Sequence, residues 1–293
     1  MNELVRMISE DGTLYCLALN STEMVKEMQN IHNTSKVCSA ALGRLITGAS
    51  MMGVLLKGDK DTLTLKLSGG GPASPVVAVA NSKGQVKGYV GDSRVNLPLN
   101  SKGKLDVSGA IGKNGFLTVI KDLGLKEPYC AQTPIISGEV AEDITAYYAT
   151  SEQTPTVCAL GVLVNPETEE VLLAGGFLIQ LLPTADDETI TLVEKGLENI
   201  KPVTTMLAEG LTPQQICETV LPEFSMQVLD TQYVEYKCDC SVERVTRALL
   251  GAGEDGLREM AEDENTEVCC HFCNKKYNFS REKILKLLKE ASK

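Results

Sequence analysis

Four cysteines near the C-terminus place the strongest constraint on what this chain can fold into. They form two close pairs, a C-x-C motif at Cys238 and Cys240 and a C-x-x-C motif at Cys270 and Cys273. The 29 residues between Cys240 and Cys270 are enough for a helix and a turn that bring the pairs together. Four converging sulfurs suit tetrahedral Zn²⁺, so we expect a small zinc module at this end of the chain.

The same spacing lets each pair close into its own disulfide, so the residues alone leave two interpretations open. In one, the zinc site is a permanent structural element. In the other it is a redox switch, because Zn²⁺ keeps cysteines as thiolates, the form that peroxide attacks. A C-x-C disulfide closes a very small ring, and we expect it to be readily reduced, as a reversible sensor requires. Basic residues close in sequence could offset the negative charge of four thiolates around one Zn²⁺: Lys237, Arg244, Lys275 and Lys276.

The other six cysteines are not predicted to bind metal. Cys269 directly precedes Cys270 and could compete as a ligand, but C-x-x-C geometry favours Cys270 with Cys273. The remaining five lie in apolar sequence and are predicted to be buried, where cysteine behaves as a small hydrophobic residue. These are Cys16, Cys38, Cys130, Cys158 and Cys217.

Composition excludes several classes of protein. The formal net charge is −11 and the pI is about 4.9, which argues against a nucleic-acid backbone as the main partner. The first residues do not read as a secretory signal. Ten cysteines without such a signal point to a reducing compartment, where they are thiols or metal ligands. We therefore expect a cytoplasmic protein with no nucleic-acid partner.

Residues 37–56 could be mistaken for a membrane span, because 20 residues carry only one charge, Arg44. An arginine near the middle of a bilayer costs about 2.5–3.5 kcal/mol on the insertion scale. Glycine, serine and threonine also dilute the apolar content of this stretch. The pattern is typical of a helix buried inside a globular domain with other elements packed closely around it, so no membrane partner is expected.

The first 183 residues predict an α+β fold with much antiparallel pairing. Residues 62–67 alternate between apolar and polar with period two, as a half-buried strand does. One hairpin is predicted to join residues 76–80 to 86–90, and a second to join 157–164 to 171–182, since turn residues separate each pair.

The composition changes after residue 183. Between residues 184 and 237, ten acidic residues oppose three lysines, a net charge of −7. The predicted helices here are short and interrupted by glycine and proline, and short helices depend on packing against other elements. One is predicted to begin at Thr212, with a proline in its first turn and a capping-box glutamine. We therefore divide the chain into a core domain (1–183), a metastable helical linker (184–237) and a C-terminal zinc module (238–293).

No catalytic constellation is evident, so we do not expect an enzyme. The glycine-rich stretches at residues 69–71 and 109–115 match neither a P-loop nor a dinucleotide fingerprint. Two other classes of function stay open. A zinc-ribbon nucleic-acid binder would use the small basic face formed by Lys275, Lys276, Arg281 and Lys283. A thiol–disulfide oxidoreductase would use Cys270 and Cys273.

Two stretches of the C-terminal module resemble the sequence of a known protein family. KCDCSVERVTRALLGAG (residues 237–253) and EVCCHFCNKKYNF (residues 267–279) resemble the redox-switch module of the bacterial 33-kDa heat-shock chaperonin family. SAALGRLITGASMM and KLSGGGP resemble the core domain of that family, so the similarity runs essentially end to end. The resemblance implies a layered β/α/β core domain around a buried central helix.

The resemblance also implies an ATP-independent holdase that is monomeric and inactive when reduced, with one Zn²⁺ per chain on the four cysteines. Oxidation is expected to pair Cys238 with Cys240 and Cys270 with Cys273, to release zinc and to unfold the linker. The oxidised protein then forms a homodimer and binds unfolding client proteins. Residues expected to become available to clients are Leu192, Leu197, Leu207, Ile216 and Val220.

Overall fold

The computed structural model describes residues 2–291, which divide into two compact units between Lys237 and Cys238. The strands of the first unit are β1 (Glu3–Ser9), β2 (Leu14–Asn20), β3 (Thr62–Ser68), β4 (Val76–Asn81), β5 (Val86–Val90), β6 (Phe116–Asp122), β7 (Tyr129–Pro134), β8 (Thr156–Val164), β9 (Val171–Leu181) and β10 (Met226–Tyr233). Its helices are α1 (Thr22–His32), α2 (Lys36–Gly53), α3 (Val107–Ile111), α4 (Ala141–Tyr147), α5 (Asp187–Leu197), α6 (Val203–Ala208) and α7 (Pro213–Val220). A π-helical turn, Tyr148–Glu152, continues α4.

Two antiparallel sheets form the framework of the first unit. The first sheet has the strand order β10-β1-β2-β9-β8, and the second has the order β5-β4-β3-β6-β7. Helix α2 lies between them, in contact with β4 and β5 of the second sheet and with β8 and β9 of the first. This is the β/α/β layering around a buried central helix that was expected. Both predicted hairpins are confirmed, as β4–β5 and β8–β9.

The sequence of α2 explains how a helix fits between two sheets. Ser35 caps its N-terminus by accepting a hydrogen bond from the Cys38 amide. Gly48 allows close packing, since a Cβ there would lie 2.6 Å from a methyl carbon of Ile144. The charge of Arg44 is met by Glu139, with 2.5 Å between Nη1 and Oε2. Of the helices in residues 2–291, none is both long and apolar enough to span a membrane.

Strand β2 separates two apolar cores, because its alternate side chains point to opposite faces. Leu17 and Leu19 belong to the core that surrounds α2. Cys16 and Ala18 belong to a second core on the other face of the first sheet. The first sheet is therefore covered on both sides.

The second core is closed by residues 184–237. Helices α6 and α7 pack on β9, β2 and β1, and β10 extends the first sheet by pairing antiparallel with β1. Strand β10 was not predicted, nor were β1, β7 and α1. The predicted capping box at Thr212 is present, and its side chain accepts from the Gln215 amide.

The second unit is small. It contains α8 (Val242–Leu250), α9 (Gly253–Met260), β11 (Asn265–Cys269), β12 (Lys276–Ser280) and α10 (Arg281–Ala291). The two strands form an antiparallel hairpin. A compact cluster of apolar side chains lies between this hairpin and the helices, with Leu257, Phe279 and Ile284 at its centre. A core of this size supplies little stability by itself, so a bound metal would add much of it.

Candidate metal centre

The structure brings the four predicted ligands together in the second unit. The Sγ atoms of Cys238, Cys240, Cys270 and Cys273 all lie within 4.8 Å of one another. Two close contacts cross between the motifs, with 3.7 Å from Cys238 to Cys270 and 3.4 Å from Cys240 to Cys273. All four side chains are half-buried. A metal ion can therefore be reached from solvent but is partly shielded from it.

The C-x-C motif is positioned by the start of α8. Ser241 directly follows Cys240 and caps the helix by accepting a hydrogen bond from the Arg244 amide. The Arg244 guanidinium forms an ion pair with Asp239, the residue between the two cysteines. The motif is thus fixed at both its middle and its end.

The C-x-x-C motif lies in the turn between β11 and β12. The Cys270 carbonyl accepts hydrogen bonds from the amides of Cys273 and Asn274, at 3.4 and 2.8 Å. Asn274 has a φ of 57°, a left-handed conformation that asparagine tolerates better than most residues. The Cys270 amide donates to the Lys275 carbonyl and closes the turn. These bonds hold the two sulfurs on the same side of the hairpin end.

Tyr277 contacts the cluster, and the sequence analysis did not identify it. It lies on β12, and its hydroxyl donates a hydrogen bond to Cys240 Sγ over 3.0 Å. Its ring belongs to the apolar core of the unit, while Lys275 Nζ lies 5.3 Å from the ring centre. Tyr277 therefore connects the small core directly to one sulfur of the cluster.

Three of the thiols, Cys238, Cys240 and Cys273, differ in pKa because of their surroundings. Burial by itself raises the pKa of the Cys240 thiol, but hydrogen bonds from Tyr277 and the other three cysteines outweigh it and lower that pKa to about 7. Burial is the main cause that raises the pKa of Cys273 to about 11, and it also raises the pKa of Cys238. Of these three thiols, Cys240 is the one whose surroundings favour the thiolate.

The sulfur arrangement fits Zn²⁺. Zinc–sulfur bonds of about 2.3 Å place the sulfurs of a tetrahedron about 3.8 Å apart. The two contacts between the motifs, 3.7 and 3.4 Å, are close to this separation. The donor set also suits the ion, since four cysteines are a common ligand set of structural zinc sites. The chain thus has four cysteines positioned to hold one metal ion.

Cys269 lies outside the four-sulfur cluster. Its side chain is exposed on β11, opposite Lys276 in the hairpin register. Two of the four basic residues expected to offset the charge of the cluster form ion pairs with carboxylates. Arg244 pairs with Asp239, and Lys276 pairs with Glu267 at 2.8 Å.

The five cysteines of the first unit do not all follow the prediction of burial. Cys16, Cys38 and Cys217 are buried, and Cys158 is half-buried. Cys130 is exposed, so the prediction was wrong for this residue. It lies on β7, an edge strand of the second sheet, where one face of the strand has no layer over it.

Comparisons with known proteins agree with this architecture. Residues 2–280 match the family model described as Hsp33 protein. The 33 kDa chaperonin of Acetivibrio thermocellus is 48% identical over 287 residues, which cover 98% of this chain and 96% of that protein. The 33 kDa chaperonin of Bacillus subtilis is 46% identical over 285 residues, 97% of each chain. The crystal structure of a 33 kDa chaperonin from Thermotoga maritima, a heat shock protein 33 homologue, matches with a TM-score of 0.89. That match has 37% identity and covers 99% of this chain and 98% of the other.

The fold and the cluster of four cysteines define a two-unit protein with a candidate metal centre in its small C-terminal unit. The chain belongs to the Hsp33 family. The resemblance noted in the sequence is thereby confirmed, and so is the α+β fold class. Relatives named 33 kDa chaperonin support a chaperone function.

Proposed function

We propose that this protein is a redox-regulated, ATP-independent holdase that binds unfolding proteins under oxidative stress. The observation that carries the proposal is a pair of features. Four sulfurs converge in the second unit, and residues 184–237 cover an apolar sheet face in the first. The first feature senses oxidant, and the second holds the surface that oxidation makes available.

In the reduced protein, Cys238, Cys240, Cys270 and Cys273 hold one Zn²⁺ per chain. When bound, the ion keeps all four cysteines as thiolates and so ready to react with oxidant. The Tyr277 hydroxyl, 3.0 Å from Cys240 Sγ, supports the thiolate there and orients it. The small core of the second unit depends on this cross-link for its stability.

Peroxide oxidises the four sulfurs to two disulfides, Cys238 with Cys240 and Cys270 with Cys273. Each disulfide consumes one peroxide. Two thiolates give up two electrons, the O–O bond breaks, and uptake of two protons yields two water molecules. Sulfurs paired in this way no longer hold the cation. The close contacts join the opposite combinations, Cys238 with Cys270 and Cys240 with Cys273. All four sulfurs are neighbours, however, so proximity does not select the pairing, and peptide mapping decides it.

Residues 184–237 suit a segment that folds conditionally. Its helices have only 11, 6 and 8 residues. Its ion pairs Lys195–Glu223 and Lys201–Glu209 are exposed, and exposed pairs contribute about 0–1 kcal/mol each. The three helices of the segment are held mainly by apolar side chains that pack on the sheet: Val193, Val203, Met206, Leu207, Ile216 and Val220.

The end of this segment is anchored just before the first cysteine motif. The Tyr236 side chain is buried in the first core, and its hydroxyl donates to the Gly88 carbonyl over 2.8 Å. The Lys237 amide donates to the Val86 carbonyl of β5, and Cys238 is the next residue. We infer that loss of order in the cysteine module loosens this anchor through the chain and then frees residues 184–237.

Release of the segment would expose apolar side chains of the segment itself and of the sheet face that it covers. Leu207, Ile216 and Val220 are buried in the second core, while Leu192 and Leu197 are half-buried. These are the residues proposed to bind unfolding clients in the cytoplasm. The activated protein is proposed to be a homodimer, and the reduced protein a monomer. Binding of this kind is stoichiometric and requires no catalytic residue.

The test uses the purified full chain before and after peroxide treatment with mild heat. Zinc content, free thiols and suppression of the aggregation of a heat-denatured protein are measured on the same samples. We expect one zinc per chain before oxidation, its loss afterwards, and suppression that saturates at a fixed ratio of protein to client. Catalytic turnover of a disulfide substrate would instead support an oxidoreductase, and steeply salt-dependent RNA binding would support a nucleic-acid binder.

A further inference from the structure

A second pair of thiols lies far from the metal centre, inside the apolar core of the first unit. Cys16 is on β2 and Cys217 is on α7, and both side chains are completely buried in the same cluster. Helix α7 packs on β2, which brings the two thiols into one core. Burial, followed by the hydrogen bond and charge of Cys217, raises the pKa of Cys16 well above its ordinary value. One thiol thus belongs to the permanent sheet and the other to the segment proposed to leave it.

This pair differs from the metal centre in its access to oxidant. Peroxide reacts with exposed thiolates, and Cys16 and Cys217 have no exposed surface while α7 is seated. Burial in this apolar core disfavours the thiolate form of Cys16 and raises the pKa of its thiol. The pair is therefore protected in the closed protein and reacts only after α7 has loosened.

We propose that Cys16 and Cys217 form a second redox site, which closes a disulfide between β2 and α7 and fastens residues 184–237 back onto the sheet. In the first step, hydrogen peroxide oxidises the exposed Cys217 thiol to a sulfenic acid and is reduced to water. When α7 returns, the Cys16 sulfur attacks the Cys217 sulfur, the S–O bond breaks, and a second water leaves with the Cys16 proton. Thiol reductants reverse the bond.

The consequence for client binding rests on the proposed function, whereas formation of the bond does not. A disulfide between Cys16 and Cys217 joins distant parts of the chain, so it removes many open conformations of the segment. It opposes the effect of oxidation at the metal centre. Oxidation of the four exposed sulfurs comes first and opens the segment, and oxidation of the buried pair comes later and closes it.

The full-length protein is incubated with hydrogen peroxide at increasing temperature, and remaining thiols are then blocked by alkylation. Digestion without reductant and mass spectrometry identify linked peptides, and trypsin cleavage after Lys195, the first lysine of the segment, reports its opening. Cys16→Ala and Cys217→Ala each remove one of the two sulfurs and so prevent the disulfide. The test therefore needs only one of these two variants to fold. Cys158→Ala is the matched control, because Cys158 is on the same sheet but packs against the other core.

We expect a peptide linking Cys16 to Cys217 in the unaltered protein and in Cys158→Ala, forming faster as the temperature rises. Trypsin cleavage of these oxidised proteins should be about tenfold slower than that of oxidised Cys217→Ala, and reductant should abolish the difference. Absence of the linked peptide at every temperature overturns the proposal, and so does equal cleavage with and without the link. Zinc content and client capture in the same samples test the proposed function separately, because neither is needed to detect the link.

Discussion

Helix α2 and helix α7 pack on opposite faces of the same sheet, and they differ in how firmly the sequence holds them there. Helix α2 has 18 residues, nearly all buried, and is enclosed by a sheet on each side. Helix α7 has 8 residues and buries one side against β1 and β2, while its other side, including Glu218, faces solvent. One sheet can therefore hold a permanent layer and a conditional one, and the difference lies in buried length and in the number of covered faces.

The largest expected effect comes from removing one sulfur of the metal centre. Cys238→Ser should lower zinc affinity by more than about 100-fold, since replacing even an outer-shell partner costs 10–100-fold. Amide exchange in α7 should then speed up in the reduced protein, while α2 stays protected. Zinc analysis and hydrogen exchange measure the two effects. Cys269→Ser is the matched control and should keep its zinc, because Cys269 lies outside the cluster.

The next effect compares the two layers by the same kind of truncation. Ile46 in α2 and Ile216 in α7 are both fully buried, and Ile→Ala in a core costs about 2–5 kcal/mol. Ile46→Ala should lower the thermal midpoint of the whole first unit. Ile216→Ala should instead increase exchange within residues 184–237 and give the reduced protein some client binding. Glu218→Ala, on the exposed side of α7, is the control. If Ile216→Ala destabilised α2 and α7 equally, the two layers would be one cooperative unit.

A smaller effect is expected at Tyr277. Tyr277→Phe removes the hydroxyl that donates to Cys240 Sγ but keeps the ring in the small core. We expect zinc affinity to fall about tenfold, as for other outer-shell partners, with the fold of the module retained. Competition with a chelator measures the affinity, and circular dichroism checks the fold. Unchanged affinity would mean that the hydroxyl does not support the thiolate.

The smallest effect concerns the first helix of the linker. Asp186 caps α5, and its hydrogen bonds with the amide and hydroxyl of Thr189 lower the pKa of its carboxyl below 3.8. A lowered folded-state pKa stabilises the helix at every pH above 3.8, and this stabilisation is lost only as the pH falls through the folded-state value. Asp186→Asn keeps a capping side chain but removes the charge. The ratio of α5 exchange rates between the two proteins should therefore be the same at pH 7 and pH 5, and a ratio that changed between them would contradict this assignment.

Elements with a strong local signal could be predicted from the sequence. Helix α2 was predicted because its apolar residues and its small residues form one stretch with a single charge. The β4–β5 hairpin was predicted from its turn residues, and the start of α7 from the capping box at Thr212. The four cysteines were found because each pair is close in sequence.

Elements that depend on distant partners could not be predicted. Strand β10 pairs with β1 from the other end of the chain, and as an edge strand it has no clean alternation of buried and exposed residues. The hydrogen bond from Tyr277 to Cys240 and the burial of Cys16 and Cys217 in one core involve residues that only the tertiary fold brings together. The exposure of Cys130 depends on β7 being an edge strand, which local composition does not reveal.

The central claim is that oxidation of the four sulfurs frees residues 184–237 and leaves the α2 layer intact. Hydrogen exchange on the full chain, before and after brief peroxide treatment, tests it most directly, with zinc content measured in parallel. The account predicts that amides of α5, α6 and α7 exchange at least about 100-fold faster once zinc is lost, while those of α2 remain protected. Loss of zinc with unchanged protection of α5, α6 and α7 would contradict it.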